Sequence, residues 1–234
     1  MKLWTGDLSP YSAKVRMQIY AMGLDDIEFE LPDDFLLGRL AERSPIGRIP
    51  VLELEDGIIP ESEVIAEYLD DCHPDRALRG ASPRERADVR LLSRIGDVYL
   101  MNNIFLCLGQ LDRRTRVDAV RDLLMGQVRR GVGALDRHLG EGAFAVGDAL
   151  TRADCSLVPA LWMCQNTVPR FDVPNPIEGR DRVSAYWDRI RENAHAARVL
   201  GEMDRGMKAR LDGSERARVE AVRARAQASG TGEH

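Results

Sequence analysis

The chain has 234 residues, 44% of them hydrophobic, with 33 basic and 38 acidic side chains and a net charge of −5. That length suits one large domain or two small ones, and the apolar content is enough for a sizeable core. The mixed charge shows no domain-wide basic surface, which argues against nucleic acid as a partner. The cysteines (Cys72, Cys107, Cys155, Cys164) form no C-x-x-C pair and the histidines no metal-binding spacing, so no metal site is expected. Buried thiols in a reduced, cytoplasmic protein are the simpler expectation. No apolar run approaches about 18 residues and no charged-then-apolar leader opens the chain, so neither a membrane span nor a signal segment is expected.

In chain order, residues 2–5 read as a short strand. Residues 10–23 carry Tyr11, Val15, Ile19 and Met22 at helical spacing, with Gly23 as the stop. Ile27, Phe29 and Leu31 alternate with glutamates, the pattern of a half-buried strand. Residues 33–43 predict a short irregular helix, 48–54 and 58–60 two further strands joined by a turn at Asp56-Gly57, and Ser62 the start of a helix. The order β-α-β-α-β-β-α fills residues 1–72. Residues 73–84 are turn-rich and read as a linker. Helices are expected at 84–111, 115–139, 151–166, 179–193 and 195–210, giving an all-α second domain over 85–212. Residues 213–234 form a polar, Ala/Arg-rich tail, helical or disordered.

Three stretches of the first domain converge on one ligand. Ser9 precedes the first helix, where a hydroxyl and the helix dipole favour an anion, though Ser is also an ordinary N-cap. Ile49-Pro50 puts a proline at the opening of an apolar strand. A cis peptide there would turn the backbone groups of Ile49 outward toward a peptide-like ligand; an edge-strand proline is the plainer explanation. Pro60-Glu61-Ser62 sets an acceptor for an ammonium group beside a helix start able to take a carboxylate. Arg48 could pair with a second carboxylate.

The stretches "SPYSAKVR", "SPIGRIPVLEL" and "PESEVIAEYL", followed by "FAVGDALTRADCSL" in the second domain, resemble the cytosolic glutathione transferases over roughly residues 1–210. The resemblance implies a thioredoxin-like glutathione-binding domain followed by an all-helical domain. It implies that Ser9 hydrogen-bonds the glutathione sulfur and that Ile49, ahead of Pro50, pairs with the cysteinyl backbone. It assigns Glu61 and Ser62 to the γ-glutamyl head and Arg48 to the glycyl carboxylate. Thr151 and Asp154 match a capping pair with a folding role. The implied protein is a serine-type homodimer of unassigned subclass, using glutathione as co-substrate for conjugation, detoxification or isomerisation. Its hydrophobic or electrophilic small-molecule substrate is expected between the domains, against Tyr11, Tyr99, Asn102, Asn103 and Leu106. Two other readings remain: a glutathione-dependent disulfide reductase, against which the absence of Cys at position 9 counts, and a non-catalytic protein that binds glutathione or uses the fold as a scaffold.

Overall fold

The computed structural model describes residues 1–230. The first domain is built on a four-stranded sheet in the order β2-β1-β3-β4. Its strands are β1 (Lys2–Trp4), β2 (Glu28–Glu30), β3 (Val51–Glu53) and β4 (Ile58–Pro60). β1 pairs parallel with β2 and antiparallel with β3, and β3 pairs antiparallel with β4. Helix α1 (Pro10–Met22) makes the crossover that a parallel β1–β2 pair requires. It ends at Gly23, whose φ of 62° is the left-handed cap that glycine tolerates best. The strands are shorter than the sequence pattern suggests: the segment expected at 48–54 enters the sheet only at Val51, after Ile49-Pro50, which is cis.

Alternation along the strands divides the core. Leu3 and Leu52 face α1 and α3 (Ser62–Cys72), meeting Val15, Ile19, Ile65 and Leu69. Trp4 and Val51 face the other way, under Leu40 and Ile49. The expected irregular helix at 33–43 is α2 (Asp33–Leu36) followed by a 3₁₀ turn at Leu40–Glu42.

The sequence reads α1 as amphipathic, with one apolar face. The fold buries it on every side, because the helical domain packs on the face turned away from the sheet. Ala13 and Met17 belong to the helical core, and Lys14, Arg16 and Gln18 are themselves buried. Each of the three is paired: Lys14 with Glu63 and Asp97, Arg16 with Glu202, Gln18 with Asp70. Burial of such groups requires pairing, and here the partners come from both domains.

After α3 the chain passes a 3₁₀ turn at Pro74–Arg76 and enters α4 (Pro83–Arg94), which Ser82 and Glu85 start as a reciprocal capping box. The helix continues without a break through a π-helical stretch, Ile95–Met101, into α5 (Asn102–Cys107). Then follow α6 (Asp118–His138), α7 (Arg152–Asn166), α8 (Asp181–Ile190) and α9 (Ala194–Leu211). Within the helical run Pro83–Gln110, an 18-residue window has a mean hydropathy of 1.2, enough to cross a membrane by length and composition, a stretch the sequence reading did not single out. The fold uses it as a core helix instead: 56% of its apolar window is buried, with Leu92, Leu100 and Ile104 among the residues inside the helical domain.

Of the expected tail, residues Ser214–Gly230 form a helix, α10, while 231–234 lie outside the described residues. Val222 anchors α10 by burial, and Arg225 reaches Asp33 of α2 at 3.7 Å. At the start of α7, Asp154 accepts from the Thr151 N–H and hydroxyl, the Ala145 N–H and the Tyr186 hydroxyl.

Candidate functional site

A cleft of about 240 Å³ opens between the sheet edge and the helical domain. Its first-domain wall is Tyr11, Ile46, Arg48, Ile49, Pro50, Pro60, Glu61, Ser62 and Glu63. All five residues expected to bind the peptide-like ligand are therefore brought together. The prolyl residue of the cis bond precedes an interior strand, so the edge-strand explanation does not hold.

At the cleft floor, Glu61 has φ 72° and ψ 120°, a backbone region costly for a residue with a side chain. Helix α3 starts immediately after it, so Glu61 is the N-cap and Ser62 the first helical residue, where the sequence expects the helix to start. The first intrahelical bond is made by the Ile65 N–H to the Glu61 carbonyl. The N–H groups of Ser62, Glu63 and Val64 precede it and have no intrahelical acceptor. With the Ser62 hydroxyl and the positive helix end they form a place for a carboxylate. The Glu61 side chain is exposed beside it, able to take a cation.

Ser9 is the N-cap of α1. Its Oγ accepts from the Ser12 N–H at 3.2 Å, which leaves its own hydroxyl hydrogen free to be donated. The wall of the cleft begins two residues later, at Tyr11, and Ser9 is not part of it. The end of α1 offers less positive potential than the bare pattern implies. Pro10 has no N–H, and that of Ser12 is taken by Ser9, so the Tyr11 N–H is left. Ser12 is completely buried and its Oγ has no partner. Two contacts fix the loop that carries Ser9. Arg16 donates to the Thr5 hydroxyl at 2.6 Å, the Gly6 carbonyl at 2.9 Å and the Asp7 carbonyl at 3.2 Å. Gly206 of α9 lies against Leu8 so closely that a Cβ there would stand 2.6 Å from the Leu8 nitrogen.

The helical-domain wall differs from expectation. It consists of Arg94, Asp97, Val98 and Asn102. Asn102 is where the sequence puts it, but Tyr99, Asn103 and Leu106 do not line the cleft. Tyr99 packs on α6, where its Cβ comes within 2.7 Å of the Cβ position at Gly131. Asn103 donates to the carbonyls of Val98 at 2.8 Å and Tyr99 at 3.0 Å. Leu106 is 56% exposed outside the cleft. The physical reason is the π-helical stretch. Its i→i+5 bonding widens the turn and rotates the residues after it relative to a regular α-helix, and the residues that face the cleft are Arg94, Asp97, Val98 and Asn102. Tyr11 does meet this wall: its hydroxyl donates to the Asp97 carbonyl at 3.3 Å, and its ring stacks on Phe105 at 5.8 Å. Burial, and then the Asp97 charge, push the Tyr11 phenol well above its usual range, so it remains a donor.

Behind the cleft lies a buried charge cluster that sequence reading missed. Lys14, fully buried, donates to Glu63 and, at 2.8 Å, to Asp97 Oδ2. Arg152 of α7 pairs with Glu63 at 3.2 Å and with Asp70 at 2.9 Å. Burial pushes the Glu63 carboxyl up, but the Lys14 charge and hydrogen bond, with Arg152, outweigh it and hold the group below its ordinary value. At Asp97 burial wins and the carboxyl lies above its ordinary value. The one local signal was chemical: Lys14 is among very few lysines in an Arg-rich chain.

None of the cysteines lines the cleft. Cys107, Cys155 and Cys164 are buried, and burial pushes all three thiols up. Cys72 is exposed, against the expectation that the thiols are buried.

The N-terminal domain model of the glutathione S-transferases matches residues 3–77, and the C-terminal domain model of the same family matches residues 118–189. The chain is 30% identical to elongation factor 1-gamma 2 of Oryza sativa over 58% of its own length, but spans 34% of that protein. It is 27% identical to maleylacetoacetate isomerase of Pseudomonas aeruginosa, over 84% of this chain and 91% of the relative. Among solved structures it resembles a glutathione S-transferase of Methylobacterium radiotolerans in complex with glutathione sulfonate. There the TM-score is 0.74 at 23% identity, covering 85% of this chain and 93% of that one. The fold is thus a thioredoxin-like domain followed by the all-helical domain of that family.

Proposed function

The chain belongs to the glutathione S-transferase family, and from that premise we propose that it binds glutathione in the cleft and activates its thiol for attack on an electrophile. The observation that carries the reading is the start of α3. Ser62 and the unpaired N–H groups behind it suit the γ-glutamyl carboxylate, and Glu61, set beside them by its left-handed backbone, suits the γ-glutamyl ammonium. Ile49 offers its backbone to the cysteinyl unit, and Arg48 offers a guanidinium to the glycyl carboxylate. Ser9, two residues before the cleft wall begins at Tyr11, donates its free hydroxyl hydrogen to the sulfur.

A free thiol of this kind has a pKa of about 8.5, and each unit of lowering corresponds to about 1.4 kcal/mol of preference for the thiolate. One hydrogen bond to an anion contributes roughly 1.5–3 kcal/mol, enough for one or two units. The thiol proton leaves to solvent, and the thiolate attacks the electrophile without a covalent enzyme intermediate. Conjugation, addition–elimination and isomerisation all begin with this step. The isomerase named among the relatives makes isomerisation a concrete alternative outcome. A reductase using its own thiol is disfavoured, because no cysteine reaches the cleft. A scaffold role is the reading that the elongation-factor relative would favour.

Titration calorimetry with glutathione tests the reading. Glu61→Ala and Ser62→Ala should each weaken binding by about 1.5–3 kcal/mol, the worth of a hydrogen bond to a charged group. Unchanged affinity in both variants would overturn the assignment, and no binding by the unaltered protein would favour a scaffold. We further propose a cytoplasmic homodimer that uses the outer faces of α3 and α4. There Val64 and Leu91 are exposed, and Arg90 joins Glu67 across the two helices at 3.7 Å. A stable monomer in sedimentation at micromolar concentration would refute it.

A further inference from the structure

The helical-domain wall of the cleft is polar where a site for an apolar electrophile would be greasy. Arg94 ends α4 and Asn102 begins α5, and the π-helical stretch between them brings both to the cleft, with Val98 between. The Arg94 guanidinium is exposed to the cleft and forms no ion pair or hydrogen bond within the described residues, and neither does the Asn102 amide. Arg94 acts on the neighbouring carboxylates only through space, as the last of the charges that lower them, and bonds to neither. Asp97 and Glu63 are held by Lys14, and Glu63 also by Arg152. The ligand in the proposed reading has two carboxylates, one assigned to the start of α3 and one to Arg48. Arg94 is a third anion-binding group with no third anion on glutathione to meet it. Arg48 and Arg94 both line the cleft together with Tyr11.

We infer that Arg94, assisted by Asn102, binds a carboxylate carried by the electrophilic substrate, so that the preferred electrophiles are anionic. This rests on the glutathione-transfer reading above. The guanidinium offers a paired donor set to a carboxylate, and the Asn102 amide adds a neutral donor. Aryl halides provide a matched test of the step. The glutathione sulfur forms a bond to the ring carbon, the carbon–chlorine bond breaks, chloride leaves with the electron pair, and the thiol proton passes to solvent.

The experiment compares 4-chloro-3-nitrobenzoate with 4-chloro-3-nitrobenzamide as substrates. Their preformed glutathione conjugates, titrated by calorimetry, give a readout that does not depend on turnover. The unaltered protein should bind the carboxylate conjugate about tenfold or more tightly than the amide conjugate, and show the same preference in KM. Arg94→Gln should abolish that preference, Arg94→Lys should restore part of it, and glutathione alone should bind all three proteins alike. The inference is overturned if the preference is absent or survives Arg94→Gln. It is also overturned if Arg94→Gln weakens glutathione alone as much as the conjugate, because Arg94 would then be a glutathione residue. If the unaltered protein binds no glutathione, the transfer reading falls, and this inference falls with it.

Discussion

At the scale of single residues, Ser9 shows how a redox-shaped motif changes its task. The box Ser9-Pro10-Tyr11-Ser12 stands at a helix start after a first strand, where thioredoxin-type proteins carry a Cys-x-x-Cys pair. A hydroxyl cannot enter thiol–disulfide exchange, so the reactive sulfur has to come from the ligand. The two serines are not equivalent. Ser9 is half-buried with a hydroxyl hydrogen to donate, whereas Ser12 is sealed in the core. We therefore expect Ser9→Cys to form a mixed disulfide when incubated with oxidised glutathione: the new thiolate attacks one disulfide sulfur and expels glutathione as the other thiolate. Transfer activity should fall in the same variant, because the donor has been replaced by a competing sulfur. Ser12→Cys should stay unmodified. Mass spectrometry decides it, and modification of Cys at position 12 in place of position 9 would remove Ser9 from the sulfur site. The residues that sequence alone could place were those whose chemistry is local. A serine before a helix, a proline opening a strand and a Glu-Ser pair at a helix start each carry their signal within a few positions. Arg94 carried none, because an arginine at the last turn of an amphipathic helix is what any surface helix shows.

At the scale of elements, α9 braces the loop that carries Ser9, and the π-helical stretch supplies the helical-domain wall of the cleft. Gly206 lets α9 close on the loop before Ser9, and a methyl group there would meet the Leu8 nitrogen at 2.6 Å and its Cβ at 2.8 Å. Backbone cannot rotate out of the way as a side-chain tip can, so Gly206→Ala should displace the Ser9 loop from α9. Overpacking of this kind costs typically 1–3 kcal/mol. We expect a lower melting temperature together with a reduced kcat, and a smaller change in glutathione affinity because α3 holds the head group. A variant with unaltered melting and unaltered kcat would show that the contact relaxes without moving the site. The start of α7 is a second such element. Removing Asp154 leaves the Ala145 and Thr151 N–H groups and the Tyr186 hydroxyl without their acceptor in a buried place. Each stranded donor costs about 1–3 kcal/mol, so Asp154→Ala should lose at least about 3 kcal/mol by denaturant titration, more than a simple cap would. A loss near 1 kcal/mol would mean that water replaces the carboxylate. The existence of these helices was legible from periodicity and caps. The inward face of the long helix was not, since nothing in "RIGDVYLMNN" announces a widened turn, and α-helical spacing then selects Tyr99, Asn103 and Leu106 in place of Arg94 and Val98.

At the scale of the whole molecule, the two domains are joined by a buried ionic cluster behind the cleft. Its members are 83 residues apart at Lys14–Asp97 and 89 apart at Arg152–Glu63, which is why no local pattern reveals them. Lys14, Arg16 and Gln18 read as the wet side of a helix until the second domain covers them. Such a cluster is weak evidence for net stability, but breaking it leaves charge stranded in the interior. Glu63 offers a test with a definite sign. Its carboxyl is held below the ordinary value of 4.5. Between that lowered value and 4.5 the unfolded chain therefore binds more protons than the folded one, so stability rises with pH through this window. The contribution of Glu63 is complete above pH 4.5 and is lost as the pH falls through its folded value. Asp97 works against it, because burial raises its carboxyl and the folded state then holds the proton more tightly. An Asp97→Asn background removes that opposing titration. In this background, adding Glu63→Gln should lower the unfolding free energy by up to about 3 kcal/mol near neutral pH, because Lys14 and Arg152 lose a charged partner. The gap between the two proteins should narrow steadily below pH 4.5, as Glu63 in the single variant takes up its proton and comes to resemble the glutamine. Urea titrations across the acid range measure it directly. A gap that stays constant or widens toward low pH would show that Glu63 is not the charge that ties α1 and α7 to the floor of the cleft.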